Sequence, residues 1–292
     1  LAGWDWLHAS AIPHHKGCEP MIQITELEFM KLSGYIQTHY GIQLKKEKHT
    51  LLTGRLHKLV SDLGFKTFSE YYDYLIQDTN GHAAAILIDK ISTNHTFFMR
   101  EANHFYYFRD VILPELKRTV TTRDLRIWCA ASSTGEEPYT LAMILKDYFG
   151  SEVPGWDTKV LATDISQAAL DTAKKGIYPI DRVSPLPQAW IIRYFQKTEG
   201  DQSMVREILK REVIFRRFNL MDSNFPFKRK FHVIFCRNVM IYFDQKTKDD
   251  LVNKLYDLLE DGGYLFIGHS ESLNRETTNF RYIKPAVYRK LP

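Results

Sequence analysis

Between residues 24 and 91 the apolar positions recur at helical spacing. Ile24, Leu27, Phe29 and Leu32 open an amphipathic face behind Thr25, a side chain suited to cap a helix. Leu52, Leu56, Leu59 and Leu63 predict a second helix that Gly64 ends. Tyr71, Tyr72, Tyr74 and Leu75, followed by Ala84 to Ile91, complete a small bundle. From about residue 125 the pattern alternates instead. Strands are expected at Leu125–Ala130, Lys159–Thr163, Val213–Phe218, His232–Cys236 and Tyr264–Gly268, with helices at 136–148, 166–175 and 247–260. Arg281 to Arg289 reads as a strand pair closing the sheet edge. Such alternation gives a doubly wound α/β sheet with helices on both faces. Residues 177–212 break the rhythm with Pro179, Pro185 and Pro187, a helix near 188–195 and a turn at Gly200, so a small antiparallel insertion is expected near 193–212.

These patterns divide the chain into a helical domain over 21–93 and an α/β domain over 94–292. Residues 1–20 lack periodicity and read as a disordered extension; His14, His15 and Cys18 there are read as a loose tail rather than a metal site. No apolar run approaches the ~18 residues of a membrane span; the longest, Ala83 to Ile88, is far shorter. The formal net charge of +4 is too small to argue for nucleic acid as the partner. Cys18, Cys129 and Cys236 have neither zinc nor disulfide spacing, and two of them sit in apolar strands, which suits reduced thiols in the cytoplasm.

The chemistry gathers where strands end. Trp128 to Tyr139 runs from a strand through a loop of small residues into a helix, the opening unit of a nucleotide-binding sheet. It lacks the glycine pattern that admits a pyrophosphate and carries Glu136 and Glu137 instead. A carboxylate repels phosphate but attracts an amino group or a ribose hydroxyl, so the ligand it suggests is a cationic nucleoside without phosphate, such as S-adenosylmethionine. Asp164 ends the second strand, 29 positions after Gly135, and suits ribose binding or a helix cap. Asn219 and Leu220 follow the third strand, where an apolar side chain and a polar backbone can sandwich and read a purine, although a leucine at such a place is more often simply core. Arg237 and Asn238 follow the fourth strand; so polar a pair beside a buried strand needs partners, in a site or in a structural ion pair. His95 and His104, nine residues apart without a third ligand, are read as neither metal ligands nor bases. Lys45, Lys46, Lys48, Arg55 and Lys58 face only Glu47, although residues 21–95 hold eight basic and eight acidic side chains. That local cluster is either a solvated face or a docking surface for an acidic partner.

Asn94-His-Thr-Phe-Phe-Met-Arg-Glu101, Ser133-Thr-Gly-Glu-Glu-Pro-Tyr139, Ala162-Thr-Asp-Ile165, Cys236-Arg-Asn-Val-Met-Ile-Tyr-Phe-Asp244 and Gly268-His-Ser-Glu271, taken in order, resemble the motif set of the chemotaxis receptor methyltransferases, the CheR family. The resemblance runs from about residue 24 to 290. It implies a Rossmann-like class I methyltransferase sheet, an N-terminal helical domain and a β insertion that grips receptors, in some members through a peptide at the receptor's C-terminus. It also implies a cytoplasmic, monomeric protein-glutamate O-methyltransferase acting on methyl-accepting chemotaxis receptors, with S-adenosylmethionine as cofactor, S-adenosylhomocysteine as product, and no metal, nucleic acid or membrane insertion. By motif position it assigns cofactor contacts to Asn94, Thr96, Arg100, Glu137, Asp164, Asn219, Leu220, Arg237 and Asn238, and receptor docking to Arg55 and Lys58. Arg100 and Tyr242 are the candidates for orienting a substrate carboxylate, as a charged fork and a phenolic donor; for Tyr242, packing against the sheet edge is an equal alternative. Methylation of a different substrate, or mere sensing of the cofactor, are the rival readings.

Overall fold

The structure, a computed structural model, describes residues 21–291; the expectations for residues 1–20 lie outside the described residues. Four helices come first: α1 (Glu26–Tyr40), α2 (His49–Asp62), α3 (Phe68–Gln77) and α4 (His82–Ile91). Thr25 caps α1 as its sequence requires. Its hydroxyl accepts from the Glu28 N–H at 3.3 Å, and the Glu28 carboxylate accepts from the Thr25 N–H at 2.8 Å, a reciprocal capping box. Phe29, Leu32 and Ile36 face the bundle core, but Leu27 is 60% exposed. The reason is angular: two residues before Phe29 on a helix lies about 200° away, on the outer face. Gly64, at φ 82°, closes α2. Its N–H donates to the Ser61 carbonyl and that of Phe65 to Val60, so Leu63 falls just outside the helix and is exposed.

Residues 92–101 carry no helix or strand and lead into α5 (Ala102–Tyr107), which continues through a single wide turn at Phe108–Ile112 into α6 (Leu113–Thr119). The α/β part follows: β1 (Ile127–Cys129), α7 (Glu136–Phe149), β2 (Val160–Asp164), α8 (Gln167–Lys175), β3 (Ile177–Pro179), α9 (Ile180–Val183), α10 (Gln188–Tyr194), β4 (Phe195–Lys197), β5 (Gln202–Val205), α11 (Glu207–Lys210), β6 (Val213–Arg217), β7 (Phe231–Phe235), α12 (Gln245–Asp257), β8 (Leu259–Phe266), β9 (Arg281–Lys284) and β10 (Val287–Arg289). Seven strands form one sheet in the order β6-β2-β1-β7-β8-β10-β9. The first five pair in parallel, and β10 and β9 add antiparallel at the edge. The direction of winding reverses beside β1, flanked by β2 on one side and β7 on the other. Ligands bind at the carboxyl ends of the strands beside such a reversal.

Both faces of the sheet are packed. On one, Trp128 is fully buried against Phe227 and Phe231, and its indole N–H donates to Thr163 Oγ1 at 2.9 Å. On the other, Phe235 and Phe266 stack at 4.4 Å across neighbouring strands. Cys129 and Cys236 are buried free thiols. A second sheet, β3-β5-β4, forms the insertion. It begins at Ile177, well before the expected 193, because β3 is only three residues long and ends at a proline, which leaves no strand periodicity to read. The phenol of Tyr178 on β3 donates to the Thr134 carbonyl at 2.7 Å, tying the insertion to the loop after β1. No helix among the described residues is long and apolar enough to cross a membrane.

His232 on β7 gives the fold a pH dependence. Its Nδ1 accepts the Arg126 N–H at 3.0 Å, which requires a neutral ring. Burial first, and then the Arg126 charge, lowers its pKa to about 4, against smaller opposing pulls from Glu260 and Asp124. The unfolded chain therefore takes up a proton below about pH 6.5 that the folded chain refuses until about pH 4. This contribution is complete above pH 6.5 and is lost as pH falls through that window. Replacing His232 with Gln should flatten the fall of the urea midpoint between about pH 7 and about pH 4.5.

Candidate active site

A cavity opens at the carboxyl ends of β1, β2, β6 and β7, and the N-terminal helical part forms its remaining wall. Ala130, Ala131 and Ser133 line it after β1, Asp164 and Ile165 after β2, Phe218 to Leu220 after β6, and Arg237 to Val239 with Tyr242 and Phe243 after β7. The segment before α5 adds Asn94, His95, Thr96 and Arg100; Tyr40, Ile42, Leu44, Lys48, Leu51 and Arg55 come from the helical part. All the expected cofactor-contact residues, and Tyr242, thus meet in one cavity. Arg55 does too, whereas Lys58 stays outside, exposed on α2.

The loop after β1 is shaped by backbone conformation. Ser133 has φ 47° and Gly135 φ 100°. A Cβ at Gly135 would lie 2.8 Å from that of Ala173 and 2.9 Å from the Tyr178 hydroxyl, so no larger residue fits there. The fold holds Asp164 in place through two main-chain donors, Ser133 N–H at 2.7 Å and Ser166 N–H at 2.9 Å, while burial pushes its carboxyl pKa up. Each carboxylate oxygen has two lone pairs, which leaves Asp164 acceptor capacity on the cavity side. Ser166 also donates to Asp89 of α4 at 2.7 Å, so the same turn joins sheet and bundle.

The two neighbouring glutamates part ways. Glu137 lines the cavity, accepting from Cys129 Sγ at 2.9 Å and from Arg237 at 2.8 Å. Burial raises its carboxyl pKa, against the pull of the Arg237 charge. Glu136 turns away, fully buried, and pairs with Thr134 at 2.6 Å and Arg182 at 3.2 Å. Only one of the two acids near the start of α7 therefore reaches the cavity.

Arg237 joins the cluster together. Its guanidinium bonds Glu137 on one side and Glu101, at 2.9 Å, on the other, and also donates to the Arg100 carbonyl, with the side chain 1% exposed. Glu101 feels burial, which raises its pKa, but Arg237, Asn238 and the His269 N–H outweigh that and hold it at about 2. Asn238, at φ 57°, donates its side chain to Glu101 and its main-chain N–H to Glu271 at 2.9 Å. Glu271 also accepts from Ile241 and Gly268. Gly268 has no room for a side chain, since a Cβ there would stand 2.3 Å from Asn238 Nδ2.

The Asn219 side chain anchors the loop after β6, donating to the His39 carbonyl at 2.9 Å and accepting from the Met221 N–H at 3.0 Å. One expectation needs correction. Arg55 is not a free docking charge. It donates to the carbonyls of Ile91 and Ser92 and to Thr93 Oγ1 at 3.1 Å, and so braces the segment that leads into the cavity. Glu101 and Glu271 organise the site but carried no signal of their own: the bonds that tie them to Arg237 and Asn238 span 136 and 33 residues. The two motifs that contain them were their one sequence trace.

Fold and site together define a nucleoside-binding α/β protein whose cavity presents acids rather than a phosphate cradle. Residues 94–289 match the family described as "CheR methyltransferase, SAM binding domain", and residues 27–92 match "CheR methyltransferase, all-alpha domain". The chain is 46% identical to the chemotaxis protein methyltransferase of Borreliella burgdorferi over 272 residues, covering 92% of this chain and 96% of that protein. It is 34% identical to the chemotaxis protein methyltransferase of Escherichia coli, over 91% of this chain and 92% of that one, and 34% identical to chemotaxis protein methyltransferase 2 of Pseudomonas aeruginosa, over 90% and 93%. The chain belongs to the CheR methyltransferase family. It is an S-adenosylmethionine-dependent methyltransferase of chemotaxis.

Removing Arg237 would leave two largely buried carboxylates without their shared counter-charge. Arg237→Met should therefore destabilise the fold by about 3–5 kcal/mol, the cost of breaking a buried ion pair from one side, measured as ΔG from urea unfolding.

Proposed function

We propose that the chain transfers the methyl group of S-adenosylmethionine to glutamate side chains on cytoplasmic helices of chemotaxis receptors, forming methyl esters and S-adenosylhomocysteine. The observation that carries this reading is an acid-lined cavity at the carboxyl ends of the sheet with a half-exposed arginine, Arg100, on its wall. In this reading Asp164 accepts the ribose hydroxyls, while Leu220 and the main chain of Asn219 hold the purine. Glu137, with Arg237 and Asn238 behind it, receives the cationic amino-acid end, and Asn94 and Thr96 close that end. The cofactor supplies an electrophilic sulfonium methyl.

The acceptor needs no base. A glutamate with an ordinary pKa of ~4.3 is already ionised at neutral pH, so this chain has to orient it and exclude water. Arg100 suits the first task. Its guanidinium is held by the His95 carbonyl at 2.7 Å and keeps donors to spare. Tyr242 lines the same cavity, half-buried, and is placed beside it as a phenolic donor. Receptor docking falls to the exposed Lys58, together with Lys45 and Lys48, while Arg55 works from inside by positioning residues 91–93. The enzyme acts as a monomer without nucleic acid. The short β4–β5 turn, Thr198 to Asp201, is the receptor-gripping element in the family's pattern.

Two measurements test this reading. Asp164→Ala should weaken S-adenosylmethionine binding by roughly 1–3 kcal/mol in calorimetry, because ribose hydroxyls and two main-chain donors lose their acceptor; unchanged affinity would remove Asp164 from the site. Label transferred from S-adenosyl[methyl-³H]methionine to receptor-containing membranes should come off as methanol in mild alkali. Alkali-stable label would mean N-methylation, and no label on receptors would leave the acceptor elsewhere; either sinks the glutamate assignment.

A further inference from the structure

Beside Arg237, at the start of α5 and in the loop after β8, Glu101 is joined by two histidines to which the proposed methyl transfer gives no role. Glu101 and His104 lie three residues apart, and His269 comes in from the far end of the chain. One potential ligand atom from each lies within 4.8 Å of the other two. His104 Nδ1 is 3.5 Å from Glu101 Oε2. That separation is about the edge of a tetrahedron built on zinc–ligand bonds of ~2.1 Å. The His104 ring is 1% exposed, and neither of its nitrogens has a hydrogen-bond partner. Buried imidazole nitrogens are normally satisfied, and a cation is one of the few partners left to this one. The His269 ring packs edge-on at 4.5 Å and is exposed, which gives an ion a way in and leaves a position for water.

We propose that Glu101, His104 and His269 form a binding site for a divalent transition cation of the zinc type, and that its occupation opposes cofactor binding. Two imidazoles and one carboxylate select zinc or cobalt over the oxygen-seeking magnesium and calcium. The sequence reading set His104 against His95 and found no third ligand; the structure supplies His269 and Glu101 instead. The coupling follows from what Glu101 already does. One of its oxygens accepts from Arg237, and the other from Asn238 at 3.1 Å and the His269 N–H at 3.2 Å. A cation has to draw the carboxylate away from Arg237, whose own charge opposes the ion, so binding is reversible and of moderate strength. Arg237 and Asn238 both line the cofactor cavity, and loosening them transmits the change. Linkage makes the effect reciprocal, so S-adenosylmethionine weakens zinc binding by the same factor. Zinc uptake itself does not depend on the methyl acceptor, so failure here leaves the proposed reaction untouched.

The test compares the full chain with His269→Ala, whose truncated ring is exposed and whose main-chain bond to Glu101 remains. Both are equilibrated with zinc and freed of excess, and metal content is measured by mass spectrometry. Co²⁺ serves as a coloured probe of four-coordinate geometry. The wild type should retain one equivalent more than the variant and show ligand-field bands that the variant lacks, and His269→Cys should restore both. Zinc held at His14, His15 or Cys18 is common to all three proteins and cancels. In calorimetry zinc should raise the Kd for S-adenosylmethionine about 5-fold or more in the wild type and leave the His269→Ala value unchanged. Equal metal content in wild type and His269→Ala overturns the site. Equal loss of cofactor affinity in the two overturns the coupling.

Discussion

The buried guanidinium of Arg237 is the interaction on which the site depends. A lone charge in that position would be costly, and its stability rests on having every partner in place. Those partners come from two separate parts of the chain: Glu137 at the start of α7, and Glu101 and the Arg100 carbonyl from the segment that follows the helical bundle. Satisfying one arginine therefore draws residues 94–101 onto the carboxyl end of the sheet. Asn94, Thr96 and Arg100 reach the cavity as a consequence. Met99 and Glu101 both take positive φ along this stretch, a backbone cost that the ion pairs and buried Phe98 offset.

A second constraint comes from the N-terminal bundle, which is a wall of the cavity rather than an appendage. The Ile42–Phe243 bridge, the Gln43 N–H bonded to the Tyr242 carbonyl at 2.8 Å, and Gln37 bonded to Asp244 at 3.0 Å fix the end of α1 to the loop after β7. On the opposite side Asp89 holds Ser166, whose N–H holds Asp164. The positions of the cavity acid Asp164 and of the bundle are thus set by one turn. This explains why a basic helix that reads as a remote docking surface turns out to share a cavity with the cofactor residues.

Most of the architecture was legible because it is written in local periodicity. The strand and helix alternation after residue 125, the Thr25 cap, the Gly64 stop and the closing strand pair all rest on neighbours within a few positions. The chemistry was legible for a different reason: functional side chains cluster at strand ends, so Asp164, Asn219 and Arg237 each follow an apolar run. What escaped was long-range. Nothing near Glu101 announces that Arg237, 136 residues on, will claim it. Nothing near Asn219 says that its amide will donate to His39, 180 residues back. The short strand β3, ending at Pro179, lacks the length for alternation to show, and Leu27 is apolar on a face that the bundle leaves to solvent.

The electrostatics of the cavity bear on the proposed transfer in a way that spacing alone does not reveal. Transfer from a sulfonium to a carboxylate consumes one positive and one negative charge and leaves two neutral products. Charge that disappears on the way to the transition state is slowed by solvation, since water stabilises the separated ions more than the state that joins them. The useful contribution of the protein is then to keep water out while retaining enough fixed polarity to bind both ions. Ile42, Leu44, Leu51, Phe218 and Phe243 contribute to the apolar lining; the first three come from the N-terminal part, and Phe243 is bridged to Ile42. The fixed polarity is held by groups that already have partners, Asp164 by two N–H donors and Glu137 by Arg237, so little reorganisation is needed as the charges vanish. For the proposed transfer such a site needs no general base, and the helical wall serves it by keeping water from the bound pair.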